Sequence, residues 1–375
     1  MTESLAAEAG NATAGDTASS APAPAGGRRD LFASRKGALA KYLGIRLLLI
    51  VPTIWILVTV VFFVLRIAGD PISAKLGGIL PPEQIAERRR AAGLDHPILV
   101  QYWEYLKGLL TGDLGRASVD GEKISSVIVT YGAATLELVF WSLIVAFAVG
   151  IPLGRFAATH RDRLSDVTLR VMAILFYAAP VFFVGMLFKL IFSAELGWLP
   201  SNGRADVSTE LAIQNVSPKT NIYIVDALLY GDSGYIWDVL KHAILPALAL
   251  GLMTAGVFLR LVRVNLLQTL RSGYVEAARA RGLNERKVVG RHAFRNSMVP
   301  VVTVIGMQIA MMLGGAVLTE TTFEWKGLGY QLARYLQDSD YIAVQGIVAF
   351  IAVIIAVISF VIDAVVAMID PRIRF

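Results

Sequence analysis

The sequence predicts an all-α membrane protein with six transmembrane helices and both termini on the cytoplasmic side. Three observations carry that expectation. Hydrophobic residues make up 55% of the chain and only 17% are charged, with a mean hydropathy of +0.60. Soluble domains hold roughly 45–50% apolar and about 25% charged residues. Apolar runs recur six times, and the basic residues collect in alternate connections between them.

The runs are Leu47–Leu65, Leu136–Ala158, Val167–Phe192, Ile244–Leu266, Met298–Leu318 and Ile342–Met368. Each approaches the ~20 residues that a helix needs to cross the hydrocarbon core, and the third and sixth are long enough to tilt or emerge. The first is not a secretory signal. It begins late, lacks an Ala-x-Ala exit and exceeds the roughly 7–15 apolar residues of a signal core. Before it stand Arg28, Arg29, Arg35, Lys36, Lys41 and Arg46. Arg161 and Arg163 occupy the 159–166 connection, Arg271, Arg279, Arg281, Arg286, Lys287, Arg291 and Arg295 the 267–297 connection, and Arg372 and Arg374 the tail. With six spans these all fall on one face, which the positive-inside rule makes cytoplasmic. The expected organisation is a disordered cytoplasmic tail (1–40), a first span with an outer helical segment (41–130), a core of five spans with an inner loop at 267–297 (131–368), and a short cytoplasmic tail (369–375).

Several functions are excluded by composition. The net charge of +6 is spread among loops instead of pooled on one soluble face, which argues against nucleic-acid binding. There is no cysteine, so disulfides and thiolate chemistry are absent. His96, His160, His242 and His292 are scattered without ligand spacing, and no metal centre is expected. No G-x-x-x-x-G-K-[ST] loop occurs, so no cofactor is expected in this chain and an ATP-driven transporter would need a separate engine.

Two long connections are left outside. In 66–135, Pro82 and Glu83 open a helix that Arg88–Arg90 close and Gly93 ends; the arginines are a docking patch or a solvated face. Pro97 opens a second helix with Val100, Trp103, Leu106, Leu109 and Leu110 at helical spacing, stopped by Gly112. It packs on the span ends or lies at the interface, and contact with a delivery protein is its sharper use. The 193–243 connection reads as an ordered loop with Trp198 at the interfacial belt.

Polar residues in or near spans are functional candidates by default. Glu137 lies at the outer start of the second run, Lys189 in the outer third of the third, and Asp363 near the inner end of the sixth. Snorkelling or capping explains each plainly; a substrate role is the sharper reading. Gln308 lies midway along the fifth run beside Gly306, Gly314 and Gly315, either bonding between helices or lining a passage. Pro52, Pro152, Pro180 and Pro246 are kinks or hinges. Glu320 and Glu324 follow the fifth run as two further acids.

The stretch Tyr274–Leu283 is a charged helix and turn inside the apolar chain. Ser272 can cap its start, Glu276 suits the positive end of the helix dipole, Arg279 and Arg281 suit its last turn, and Gly282 stops it. Asn284 can cap a second short helix. Ala277 and Ala278 present a low surface that another protein's groove could receive; the plain alternative is a solvated loop helix.

Glu276-Ala277-Ala278, then three residues and Gly282, resembles the cytoplasmic EAA loop of ABC-importer permease subunits. Arg291-His292-Ala293-Phe294-Arg295-Asn296 and Pro300 resemble the dipeptide/oligopeptide (peptide/nickel) branch. So do Gly93-Leu94-Asp95, Gly112–Arg116, Ala134–Leu138, Asp226–Leu229, His242–Ala247, Glu320–Gly329 and Asp370–Ile373, with Lys326 where the branch usually has Pro. The resemblance covers nearly everything after residue 40 and implies a type I permease fold. It further implies that Glu276, Ala277, Ala278 and Gly282 form the helix seated in a cleft of an ATPase subunit. The implied partners are a second permease chain, two ATP-binding cassette subunits holding ATP and Mg, an extracytoplasmic peptide-binding protein and membrane lipid. The implied work is alternating-access import of di- or oligopeptides, with Glu137, Gln308 and Glu320 as candidates for the pathway and Glu320 or Glu324 able to meet a peptide's amino group. Nickel or haem import is the alternative within the family. From other classes, an ion-driven carrier or channel would make Glu137, Lys189 or Asp363 essential, and a membrane-embedded hydrolase lacks a nucleophile-base set or metal pair.

Overall fold

The computed structural model describes residues 29–70, 73, 81–91, 94–217 and 219–369. The chain divides into two units, 1–42 with residue 375, and 43–374. Helix α1, Arg29–Ala68, begins in the first; everything else described here belongs to the second. The tail expected to be disordered through residue 40 is therefore helical from Arg29, and residues 1–28 lie outside the described residues. Leu, Ala, Arg and Lys make up nine of the thirteen residues 29–41, and all four are strong helix formers, so the helix runs back from the apolar run despite Gly37.

Among the described residues, five helices are long and apolar enough to cross a membrane: α1 (over Lys41–Ile67), α4 (Ile124–Thr159), α9 (Ser233–Leu270), α13 (Val299–Phe323) and α15 (Tyr341–Ile369). The expected third span is broken. It consists of α5 (Leu164–Ala178) and α6 (Val181–Phe188), the latter continued by a π-helical turn to Glu195, and the two parts are bent by 104°. Pro180 is the cause. It has no N–H and disfavours helical geometry in the residue before it, and Ala179 is extended at φ −73°, ψ 132°. The bent pair makes a sixth span only if counted as one.

Short helices occupy the connections: α2 (Pro82–Ala91), α3 (Ile98–Thr111), α7 (Val207–Ile213), α8 (Tyr223–Tyr230), α10 (Gly273–Ala280), α11 (Glu285–Lys287), α12 (Phe294–Ser297) and α14 (Leu328–Gln337). Helix α3 stops at Gly112, φ +76°, as the sequence predicts, while Gly93 lies outside the described residues. Helix α3 packs on the end of the first span, as expected, but through a different face. Tyr102 bonds Thr59 at 2.6 Å and Tyr105 stacks on Phe62 of α1 at 5.6 Å, whereas Val100, Trp103 and Leu110 are exposed. Tyr102 and Tyr105 reach the neighbouring span with Leu106 and Leu109 half-buried beside them, which leaves Val100, Trp103 and Leu110 outward.

Helix α9 is the hub, with 61% of its most apolar window buried against 11% for peripheral α1. It presses backbone to backbone on α4. A Cβ added at Gly150 would sit 2.7 Å from the Ala255 carbonyl oxygen, and one at Gly154 2.7 Å from that of Leu259. Small residues permit such approach, and packing of this kind holds helices together where lipid offers no hydrophobic gain. Both helices start well before their apolar runs, α4 at Ile124 and α9 at Ser233, where Asp232 accepts from the Gly234 N–H at 2.7 Å. Glu137 and His242 thus lie inside helices.

Candidate functional site

The loop between α9 and α13 is built on an apolar underside. Val275 and Ala278 of α10 pack with Val288 and Ala293, with Leu266 at the end of α9 and with Ala158 at the end of α4. Tyr274, Glu276, Ala277, Arg281, Gly282 and Leu283 are exposed. Gly282 holds φ +72°, the left-handed geometry expected of the stop. Asn284 caps α11, its Oδ1 accepting from the Arg286 N–H at 2.9 Å. Arg279 braces the turn through a two-point bond to Glu285 at 2.7 and 3.1 Å. That hydrogen bond holds the Glu285 carboxyl below its usual range and raises the Arg279 guanidinium. Two expectations are corrected. Ala278 faces inward, because Val275 and Ala278, three apart, define the buried face. Ser272 occupies the cap position, but its hydroxyl donates back to the Thr269 carbonyl at 2.5 Å and accepts no helix N–H.

The two carboxylates proposed for a pathway are enclosed. Glu137 is 2% exposed. It accepts from Arg204 Nη2 at 2.5 Å and from the Tyr223 and Ile224 N–H groups at 3.1 and 2.9 Å. Arg204 also covers the Tyr223 ring at 3.6 Å. Glu320 is fully buried inside α13, not beyond it, accepting from Thr135 Oγ1 at 2.6 Å and the Tyr330 N–H at 2.8 Å; Thr135 in turn accepts from the Leu328 N–H. Each acid therefore caps a short outer helix, Glu137 α8 and Glu320 α14. Negative charge belongs at those N-termini, where the first N–H groups lack helical partners. Neither faces a solute in this conformation. Glu324 takes the left-handed residue after α13 and is exposed, as is Lys326.

Lys189 donates to Asn202 Oδ1 at 2.6 Å and to the Thr322 carbonyl at 2.9 Å, and Asp363 pairs with Arg46 at 3.3 Å. Gln308, 7% exposed, contacts Met311 Sδ at 3.9 Å and borders a cavity of about 850 Å³ between α5, α9 and α13. Arg170 and Tyr177 reach that cavity from α5, and Arg260 and Arg263 from α9.

Sequence reading missed three features. Arg263 grips buried Asp166 at 2.6 and 2.8 Å, a pair 97 residues apart that no local spacing announces. Arg260 was hidden inside an apolar run. The third is a cluster: one ligating atom each from Asp206, Asp238 and His242 lies within 4.8 Å of the others. Asp238 and His242 are one turn apart on α9, a spacing obscured when that helix was started at Ile244. Here Asp238 accepts from the Asp206 N–H at 2.8 Å and so tethers the start of α7 to α9.

A polytopic helical membrane protein with a rigid, charged loop seated on its two central helices is the class this geometry defines. Residues 150–375 match the family described as binding-protein-dependent transport system inner membrane component, and residues 39–151 match its N-terminal region. The chain is 39% identical over 332 residues to the dipeptide transport system permease protein DppB of Escherichia coli (strain K12), covering 88% of this chain and 97% of that one. It is 35% identical over 338 residues to the di/tripeptide transport system permease protein DppB of Pseudomonas aeruginosa (strain UCBPP-PA14), covering 90% and 99%. A glutathione transport system permease protein, GsiC of Salmonella choleraesuis (strain SC-B67), is 34% identical over 331 residues, covering 88% of this chain and 97% of that one. The chain belongs to the binding-protein-dependent transport family of inner-membrane components, as a multi-pass permease subunit of the dipeptide/oligopeptide branch of ABC importers.

Proposed function

We propose that this chain forms half of the translocation pathway of an ATP-driven importer of di- or oligopeptides. The observation that carries this reading is the α10 loop, whose exposed Glu276–Ala277 face sits on a buried underside shared with the ends of α4 and α9. A push on that face moves both central helices together. The bent α5–α6 pair counts as one span, giving six, with both termini and the loop on the cytoplasmic side, where the basic connections belong. Two ATP-binding cassette subunits carry ATP and Mg and receive Glu276, Ala277 and the Gly282 turn, with Ala278 fixing the helix from beneath. A second, homologous permease chain completes the passage beside Gln308, and an extracytoplasmic binding protein delivers the peptide. This chain contributes no ATPase chemistry.

The test is uptake of labelled di-, tri- and pentapeptides by the assembled complex in proteoliposomes. Glu276→Lys should abolish ATP-driven uptake and loosen the ATPases while the chain stays inserted. Full transport by that variant, or nickel or haem uptake in place of peptide, would overturn the reading.

A further inference from the structure

Among the described residues, the cavity between α5, α9 and α13 holds one cation that no other side chain or carbonyl engages. Arg263 is committed to Asp166 by two hydrogen bonds, and Arg170 reaches the same carboxylate at 3.9 Å. Arg260 is exposed toward the cavity and has no hydrogen-bond or ion-pair partner among the described residues. It lies inside the apolar run Ile244–Leu266, six residues from its end, which is about 9 Å along a helix. An ionised side chain at such depth is costly unless it meets an opposite charge or water, and it is normally kept for function. Arg170, Arg260 and Arg263 line the cavity and only one carboxylate, Asp166, held by Arg263 and near Arg170, offsets them, which leaves the cavity electropositive. The remaining wall is apolar apart from Tyr177 and Gln308, and about 850 Å³ is within the range of small-molecule sites and admits a short peptide.

From this geometry we infer that Arg260 receives the terminal carboxylate of the transported peptide, with Gln308 on the opposite wall. A planar guanidinium matches a carboxylate by two parallel hydrogen bonds, and an apolar wall tolerates varied side chains, so the site reads the feature that all short peptides share. The inference rests on the peptide-import reading above.

The chain has no cysteine, so Ile174→Cys on the cavity wall supplies this subunit's single thiol as a reporter that needs no delivery protein. In the assembled complex, dialanine should protect that thiol from a charged maleimide, and dialanine amide should not. Arg260→Gln should weaken protection by the free acid about tenfold, the loss expected for one charge-assisted contact, and Arg260→Lys should restore part of it. Peptide uptake should fall in parallel in Arg260→Gln. Equal protection by acid and amide, or an Arg260→Gln variant that keeps the difference, would overturn the assignment. A requirement for anionic lipid would instead give Arg260 to a headgroup, and unchanged peptide protection with loss of subunit assembly would give it to an acidic residue of the second permease. If the unmodified complex carries no peptide at all, it is the functional reading that fails.

Discussion

Glu137 shows how one residue's environment decides between two roles of the same chemistry. An acid near a span end could serve a solute or satisfy the chain, and here Arg204 and two N–H groups occupy both of its oxygens. Glu137→Ala would strand the Arg204 charge, whose Nε already lacks a partner, in the interior. Breaking a buried pair by removing one member costs about 3–5 kcal/mol. The expected outcome is a large fall in thermal stability in detergent with no change in peptide selectivity among molecules that remain folded; altered selectivity at full stability would restore the pathway role. The sequence pointed to Glu137 because ionisable residues at spans are rare, and to Glu320 because it opens the turn after the fifth run. It could not identify their partners, since Arg204 and Tyr330 N–H arrive from separate connections.

At the scale of elements, α4 and α9 carry the fold. Their glycines were visible in the sequence, but which glycine met which carbonyl was not. Gly154→Leu would drive a side chain into the Leu259 carbonyl, and overpacking of this kind costs about 1–3 kcal/mol. Because Ala158 and Leu266 at the ends of those helices seat the α10 loop, the variant should also weaken ATPase retention on purification; full retention would show that the loop is held independently of the pair. The third run illustrates the opposite limit. Hydropathy is continuous across Pro180, so the apolar run reads as one span with a kink or hinge there, whereas the missing N–H and extended Ala179 produce a bend of 104°.

For the whole molecule the testable quantity is orientation. If the loop faces the cytoplasm, Ala277→Cys in a chain without native cysteine should react with an impermeant maleimide only in inside-out vesicles. Labelling from the periplasmic side would reverse the topology and deny the loop any contact with an ATPase.

The sequence by itself determined the class, the apolar helices and the loop, because each is written in local pattern: hydrophobic length, charge placement, and Glu276, Gly282 and Asn284 at fixed offsets. Only the tertiary structure decided which polar residues are spent inside the chain and which remain free. Glu137, Glu320, Lys189 and Arg263 each find partners far away in sequence, while Arg260, unremarked in its apolar run, is left facing an open cavity. Charge satisfaction depends on distance in space, and a sequence read in order does not contain that distance.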